Sequence, residues 1–338
     1  MYYNNQNIRV EEMPIPKIGT GELLIRVEAA GICGSDVMQW YRRGAKPQVL
    51  GHEIGGEIVE VGKNVKKYKK GQRVTAAHHV PCNTCHYCLT GHPTVCETLR
   101  RTRYDPGGFA EYVRLPAINV DRGVFPLPES VSFEEATFTE PLACVLRGHR
   151  LSQMKPGLNI LVIGSGITGL LHVQIARVMG AGKIIATDVN KLRLDTALKF
   201  GADLALEASE DIPEKIREIN KGMLADRVIV CTGARTALIQ ALKSVERGGI
   251  VLFFAPTDPN VTIPLSLNEV FWRNEVTLTS SYAGSPAEHV AALQIIRSKV
   301  ISVKNMITHR LGLADTGFGF QLVADPKDSL KVIIEPQR

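Results

Sequence analysis

Asn159-Ile160-Leu161-Val162-Ile163-Gly164-Ser165-Gly166-Ile167-Thr168-Gly169 joins a continuous apolar run to a glycine loop, and residues 170–179 carry on as an apolar helical stretch. A short run of aliphatic residues bounded by glycine reads as a strand buried on both faces. Strand, G-x-G-x-x-G and helix in that order make the phosphate-binding turn of a dinucleotide site. Gly164 permits the tight turn, Gly166 lets the backbone approach a pyrophosphate at the helix N-terminus, and Gly169 allows close packing of helix on strand. Ser165, Ile167 and Thr168 complete the loop as further candidate contacts. A second strand, 183–187, leads to Asp188, 19 residues beyond Gly169. That carboxylate is placed to accept hydrogen bonds from an adenosine ribose. Its charge opposes a 2′-phosphate, which favours NAD over NADP, although Lys191 and Arg193 bring charge of the other sign.

Downstream the alternation continues, with a helix at 191–200, a strand at 227–231, a helix at 236–245 and a strand at 250–254. This order predicts an α/β domain built on a doubly wound parallel sheet. A strand at 276–279 and a helix at 287–298 extend it, and 330–334 reads as a late strand. Thr232 and Gly233 end a strand on the side where a dinucleotide lies and are candidate cofactor contacts. Cys231 beside them reads as a buried small side chain.

Upstream the pattern differs. Short segments at 22–30, 57–61, 72–75 and 109–113 carry β-branched and aromatic residues between glycine turns, predicting an irregular, mostly antiparallel β domain. Within it Cys82, Cys85, Cys88 and Cys96 follow the spacing C-x2-C-x2-C-x7-C. Four thiolates so spaced in a polar loop can close a tetrahedral structural zinc site, with an iron–sulfur cluster or a disulfide pair as the other readings. His78, His79, His86 and His92 read as bystanders there. Cys33, in Gly31-Ile32-Cys33-Gly34-Ser35-Asp36, and His52 and Glu53, in Gly51-His52-Glu53, could converge on a second metal that keeps a position open for substrate. By themselves they fit a satisfied core equally well.

Composition sets the limits. At 338 residues two domains are expected. No apolar run reaches the roughly 18 residues of a membrane span and no secretory signal is visible, so a cytoplasmic protein is expected. The net charge of +6 sits partly in short basic clusters with few interleaved aromatics, a pattern that argues against nucleic-acid binding. An odd number of cysteines, seven, with four gathered in one loop, points to metal and away from a disulfide framework.

Taken together, these motifs resemble the zinc-dependent medium-chain alcohol dehydrogenases, in the sorbitol (polyol) and threonine dehydrogenase branch. The resemblance also runs through Gly107-Gly108-Phe109-Ala110-Glu111-Tyr112 and Thr139-Glu140-Pro141-Leu142-Ala143. It implies a GroES-like catalytic domain from 1–140 and 284–338, with a structural zinc lobe at about 78–100, and a Rossmann nucleotide domain at 141–283. It makes Cys33 and His52 ligands of a catalytic zinc, with Glu140 bound directly or through water and Glu53 a ligand or a tuning neighbour. Cys144, four residues past Glu140, reads as a buried small side chain. Ser35 resembles the hydroxyl that takes the substrate proton. Where relatives carry an outer relay histidine, this chain has Met38. Trp40, Tyr41, Arg42 and Arg43 shape the substrate pocket or its rim, the two arginines preferring solvent.

The implied reaction is NAD-dependent oxidation of a secondary alcohol of a polyol or sugar-like substrate, in a homodimer or homotetramer. Oxidation of L-threonine is the alternative within the family, and a non-catalytic NAD-binding protein the alternative outside it. Elemental analysis should give about two zinc ions per chain, falling towards one in Glu140→Ala while the four-cysteine site stays loaded. Iron with a visible absorption band, or equal loss from both sites, overturns the assignment.

Overall fold

The computed structural model describes residues 1–42 and 46–338, so Arg43 lies outside the described residues. The chain divides into two compact units, Met1–Ala143 with Ala283–Arg338, and Cys144–Tyr282. No described helix is long and apolar enough to cross a membrane.

The first unit is organised by a seven-stranded sheet in the order Ile307–Gly312, Lys331–Glu335, Leu23–Gly31, Glu53–Val61, Arg73–Ala77, Val124–Pro126, with Tyr112–Leu115 also pairing on Leu23–Gly31. Its pairs are antiparallel except the first, which is parallel. The alternation of Leu23, Ile25 and Val27 with Arg26 and Glu28 turns one face of the central strand inward, onto Ile54, Ile58, Phe320, Val332 and Ile334. Register then fixes the site. Gly31 stands opposite Glu53 on one side and Ile333 on the other. A Cβ at Gly31 would overlap the Glu53 carboxylate and the Lys331 ammonium, so only glycine leaves room for that pair. Gly51, at φ +100°, lies so close to Gly108 and Phe109 that a side chain there would meet their backbone. The glycines of 107–112 thus brace the turn that presents His52.

The second unit is a six-stranded sheet in the order Leu204–Glu207, Ile184–Asp188, Ile160–Ile163, Ala225–Val230, Val245–Phe253, Thr277–Ser280. Every pair is parallel. Ile160–Ile163 is buried throughout, as its unbroken apolar sequence requires. The order reverses beside it, which is where doubly wound sheets bind their ligands.

The strand Leu204–Glu207 and the helix Ile212–Ile219 were not among the elements expected from sequence. The strand is short and has no β-branched residue. The helix did carry a legible start, with Asp211 accepting a hydrogen bond from Glu214 N and Pro in the first turn. The segment expected as a strand from 109 pairs only from Tyr112, because Gly107 to Phe109 are held against Leu50 and Gly51 instead.

His149 and His172 pack against each other in the core of this unit, ring centroids 4.9 Å apart. Burial pushes His149 from 6.5 down to about 4, and His172 well below its ordinary value. An unfolded chain binds these protons below about 6.5 while the folded one refuses them, so stability is lost as pH falls from about 6.5 towards 4. Urea melts of wild type and His149→Leu should diverge progressively over that window, with wild type losing more. Parallel losses would show that the pair is not the acid-sensitive element.

Candidate metal and nucleotide sites

The four-cysteine lobe assembles from a loop and two short helical turns. Cys96 Sγ and Cys85 Sγ each lie 3.6 Å from a neighbouring sulfur, Cys82 and Cys88 respectively, and Cys82 and Cys88 are 4.0 Å apart. Zinc–sulfur bonds of about 2.3 Å in a tetrahedron put sulfurs about 3.8 Å apart, so the donor set fits zinc. Backbone N–H groups of Thr84 and Cys85 donate to Cys82 Sγ, at 3.5 and 3.3 Å. Led by the Thr84 amide, these contacts bring the Cys82 thiol down to about 5, which favours the thiolate a metal needs.

Elsewhere in the first unit, Cys33, His52 and Glu53 bring ligand atoms within 4.8 Å of one another. Cys33 caps the 3₁₀ turn Gly34–Val37, its sulfur accepting from Ser35 N at 3.5 Å and from Ser35 Oγ at 3.4 Å. Asp36 closes the same turn by accepting from Cys33 N at 3.0 Å, and its other oxygen lies 3.5 Å from His52 Nδ1. Burial alone would push His52 down, but Asp36, with Cys33 behind it, holds the imidazole well above its ordinary value. The pocket therefore favours a positive charge, whether a proton or a metal ion. A carboxylate on the outer ring nitrogen is also the usual means of orienting a ligating histidine.

Glu53 is sealed in. It and Lys331 are each 1 % exposed and form a direct ion pair, while the ammonium also donates to Ile32 O at 3.4 Å and lies 5.5 Å from the Phe138 ring. Burial pushes the Glu53 carboxyl up, and Lys331 opposes it. Glu140, at the start of the helix Thr139–Leu151, stands outside the three-residue cluster, yet its charge acts on Glu53, His79, Tyr104 and His289.

In the second unit Gly164 takes φ +94° and Gly166 caps the helix Ile167–Val178 with open space where a side chain would stand. A Cβ on Gly169 would overlap Gly164 O. Each glycine thus meets the demand its position makes. Asp188 is only 6 % exposed; it accepts from Ser165 N at 2.7 Å and Asn190 N at 2.9 Å, and Arg193 Nη1 is 3.8 Å away. Thr232 and the end of Cys231 lie against Gly164, and Gly233 packs on Pro256.

Two family models match the chain, an alcohol dehydrogenase GroES-like domain over residues 19–129 and a zinc-binding dehydrogenase domain over 168–298. An L-threonine 3-dehydrogenase of Bacillus licheniformis is 36% identical over 322 residues, covering 93% of this chain and 91% of that one. A sorbitol dehydrogenase of Bacillus subtilis is 32% identical over 347 residues, covering 99% and 96%. The chain belongs to the zinc-dependent medium-chain alcohol dehydrogenases. A zinc-binding dehydrogenase from Sinorhizobium meliloti, solved with NADP, superposes on this dehydrogenase with a TM-score of 0.87 at 29% identity, covering 98% of this chain and 97% of the other.

Several side chains of the dehydrogenase depart from sequence expectation. Arg42, read as solvated, has only 19% of its side chain exposed and lies 3.7 Å from Asp36, because a fully buried carboxylate draws a cation inward. Tyr41 does face solvent, 53% exposed. Cys144 and Cys231, both read as buried, are only partly so. Two residues of the site were missed. Asp36 belongs to the quoted motif, and an acid three residues after a candidate ligand was a signal that it caps the loop. Lys331 left no sequence signal beyond a charge at the start of an apolar strand.

Lys331→Met should cost about 3–5 kcal/mol in denaturant melts, since it strands a buried carboxylate. Most of that loss should return in the double variant with Glu53→Gln. A single variant as stable as wild type would show that the pair contributes nothing.

Proposed function

We propose that this dehydrogenase oxidises a secondary alcohol of a polyol or sugar-like substrate to a ketone, with NAD as the hydride acceptor. The observation that carries the reading is the pairing, among the described residues, of the two cations in contact with the acids around Cys33 and His52: Lys331 with Glu53 and Arg42 with Asp36. Neither is left to bind the carboxylate of an amino-acid substrate, whereas a neutral polyol needs no such partner.

Cys33 and His52 would hold the catalytic zinc, with Glu53, Glu140 or water completing it. Cys82, Cys85, Cys88 and Cys96 would hold a second, structural zinc. When bound, the catalytic ion supplies a Lewis acid that lowers the pKa of the substrate hydroxyl, and the nicotinamide supplies the hydride acceptor. Ser35 Oγ, against Cys33 Sγ, is placed to take the hydroxyl proton. Asp36 keeps the His52 ring in one orientation. Lys331 would hold the Glu53 carboxylate in place beside His52, as a ligand or a tuning neighbour of the ion.

The first unit is accordingly the catalytic domain and the second the nucleotide domain. NAD is preferred because Asp188 places a carboxylate where a 2′-phosphate would lie. Homodimer or homotetramer assembly is part of the same reading.

The first-reported relative, an L-threonine 3-dehydrogenase, supports the competing substrate. A panel of polyols, sugars, inositols, simple secondary alcohols and L-threonine, followed by reduction of NAD and of NADP, decides between them. The highest kcat/KM should fall on a polyol, with NAD at least about tenfold better than NADP. Threonine as the best substrate would replace the polyol reading, and equal use of the two cofactors would remove the role given to Asp188.

A further inference from the structure

His78 and His79 stand side by side near His52 in the first unit. His79 Nδ1 lies 2.9 Å from Thr102 O, and His79 Nε2 lies 3.2 Å from His78 Nδ1. A carbonyl only accepts, so His79 must carry its proton on Nδ1. With both rings neutral the rest of the wiring has one solution: His79 Nε2 is bare, His78 Nδ1–H donates to it, and the lone pair of His78 is left on Nε2. That nitrogen has no hydrogen-bond partner among the described residues.

The His78 ring is held by an edge contact with Tyr104 at 4.7 Å and by His79 at 4.4 Å, between centroids. Tyr104 is itself fixed, buried and donating to Ala76 O. The centroid of His78 is 6.0 Å from that of His52, so the two imidazoles are near neighbours. Half-buried, fixed in tautomer and unpaired at one nitrogen, the ring is a preorganised acceptor beside His52.

We propose that His78 Nε2 accepts a hydrogen bond from a hydroxyl on the carbon next to the one oxidised, making His78 a specificity-determining residue for vicinal diols and polyols. This rests on the secondary-alcohol reading given above and deepens it. His79 and Thr102 act through His78 as positioning groups. The selectivity arises because an analogue lacking the second hydroxyl leaves the imidazole lone pair without a partner.

The test compares 1,2-propanediol with 2-propanol, and both with L-threonine, in zinc-loaded wild type, His78→Phe and His78→Gln. The diol to mono-alcohol ratio of kcat/KM should fall about tenfold or more in His78→Phe and return to within about threefold of wild type in His78→Gln, which keeps an acceptor. A second readout needs no turnover. Long-range ¹H–¹⁵N spectra of the histidines should show both His78 and His79 protonated on Nδ1, and the His78 Nε2 signal should move on adding the diol and not on adding 2-propanol. An Nε2–H tautomer at His78, an unmoved signal, a ratio that stays constant, or a loss confined to threonine would each overturn the proposal. Failure of wild type to oxidise any alcohol would instead sink the secondary-alcohol reading, while the spectra still decide the role of His78.

Discussion

A carboxylate and an ammonium buried together in a sheet set the conditions for much of the first unit. Glu53 and Lys331 are separated by 278 residues, yet the strand register around Gly31 brings them into direct contact with almost no exposure. Removing two charges from water is costly, and an apolar pair of similar volume often serves stability as well. The pair is therefore better understood by where it stands. Glu53 belongs to the Cys33, His52 and Glu53 group, so the ion pair fixes one carboxylate of a cluster that could hold a metal ion. It also ties the C-terminal strand Lys331–Glu335 to the N-terminal half of the same unit. Gly31 is the residue that makes the arrangement sterically possible.

The two sulfur-containing sites solve different electrostatic problems. In the four-cysteine lobe, sulfur separations already match a tetrahedron, and the backbone amides of Thr84 and Cys85 stabilise a thiolate at Cys82. In the Cys33 site only one sulfur is present, and the field comes from carboxylates: Asp36 against His52, Glu53 in the same cluster, and Glu140 acting on Glu53. A closed, sulfur-rich shell suits a structural ion, whereas mixed donors set among carboxylates leave a coordination position that chemistry can use. Arg42 moderates the second arrangement by neutralising part of the Asp36 charge.

Asp188 illustrates how one carboxylate can tie a loop to a neighbouring strand. Its oxygens accept from the backbone of Ser165 and of Asn190, so it staples the glycine loop to the end of the neighbouring strand. A carboxylate oxygen has lone pairs for more than one donor, which leaves capacity for a ribose hydroxyl. Arg193, 3.8 Å away, tempers the negative charge there.

The sequence by itself determined the features that are local in the chain. Ile160 to Gly169 specified strand, turn and helix because each glycine answers a constraint within a few residues of itself. The cysteine spacing anticipated the gathering of four sulfurs because all four lie in the one short stretch from Cys82 to Cys96. The antiparallel character of the N-terminal part was legible from short alternating strands, although the strand at Leu204–Glu207 was not, since LALE has no β signal of its own. Tertiary structure decided whatever depends on partners far apart in the chain. No periodicity in the sequence says that Lys331 meets Glu53, that Arg42 turns inward to Asp36, or that His79 fixes the tautomer of His78 through Thr102. Those pairings follow from strand register and loop packing, which bring together charges and ring nitrogens whose positions in the chain carry no record of one another.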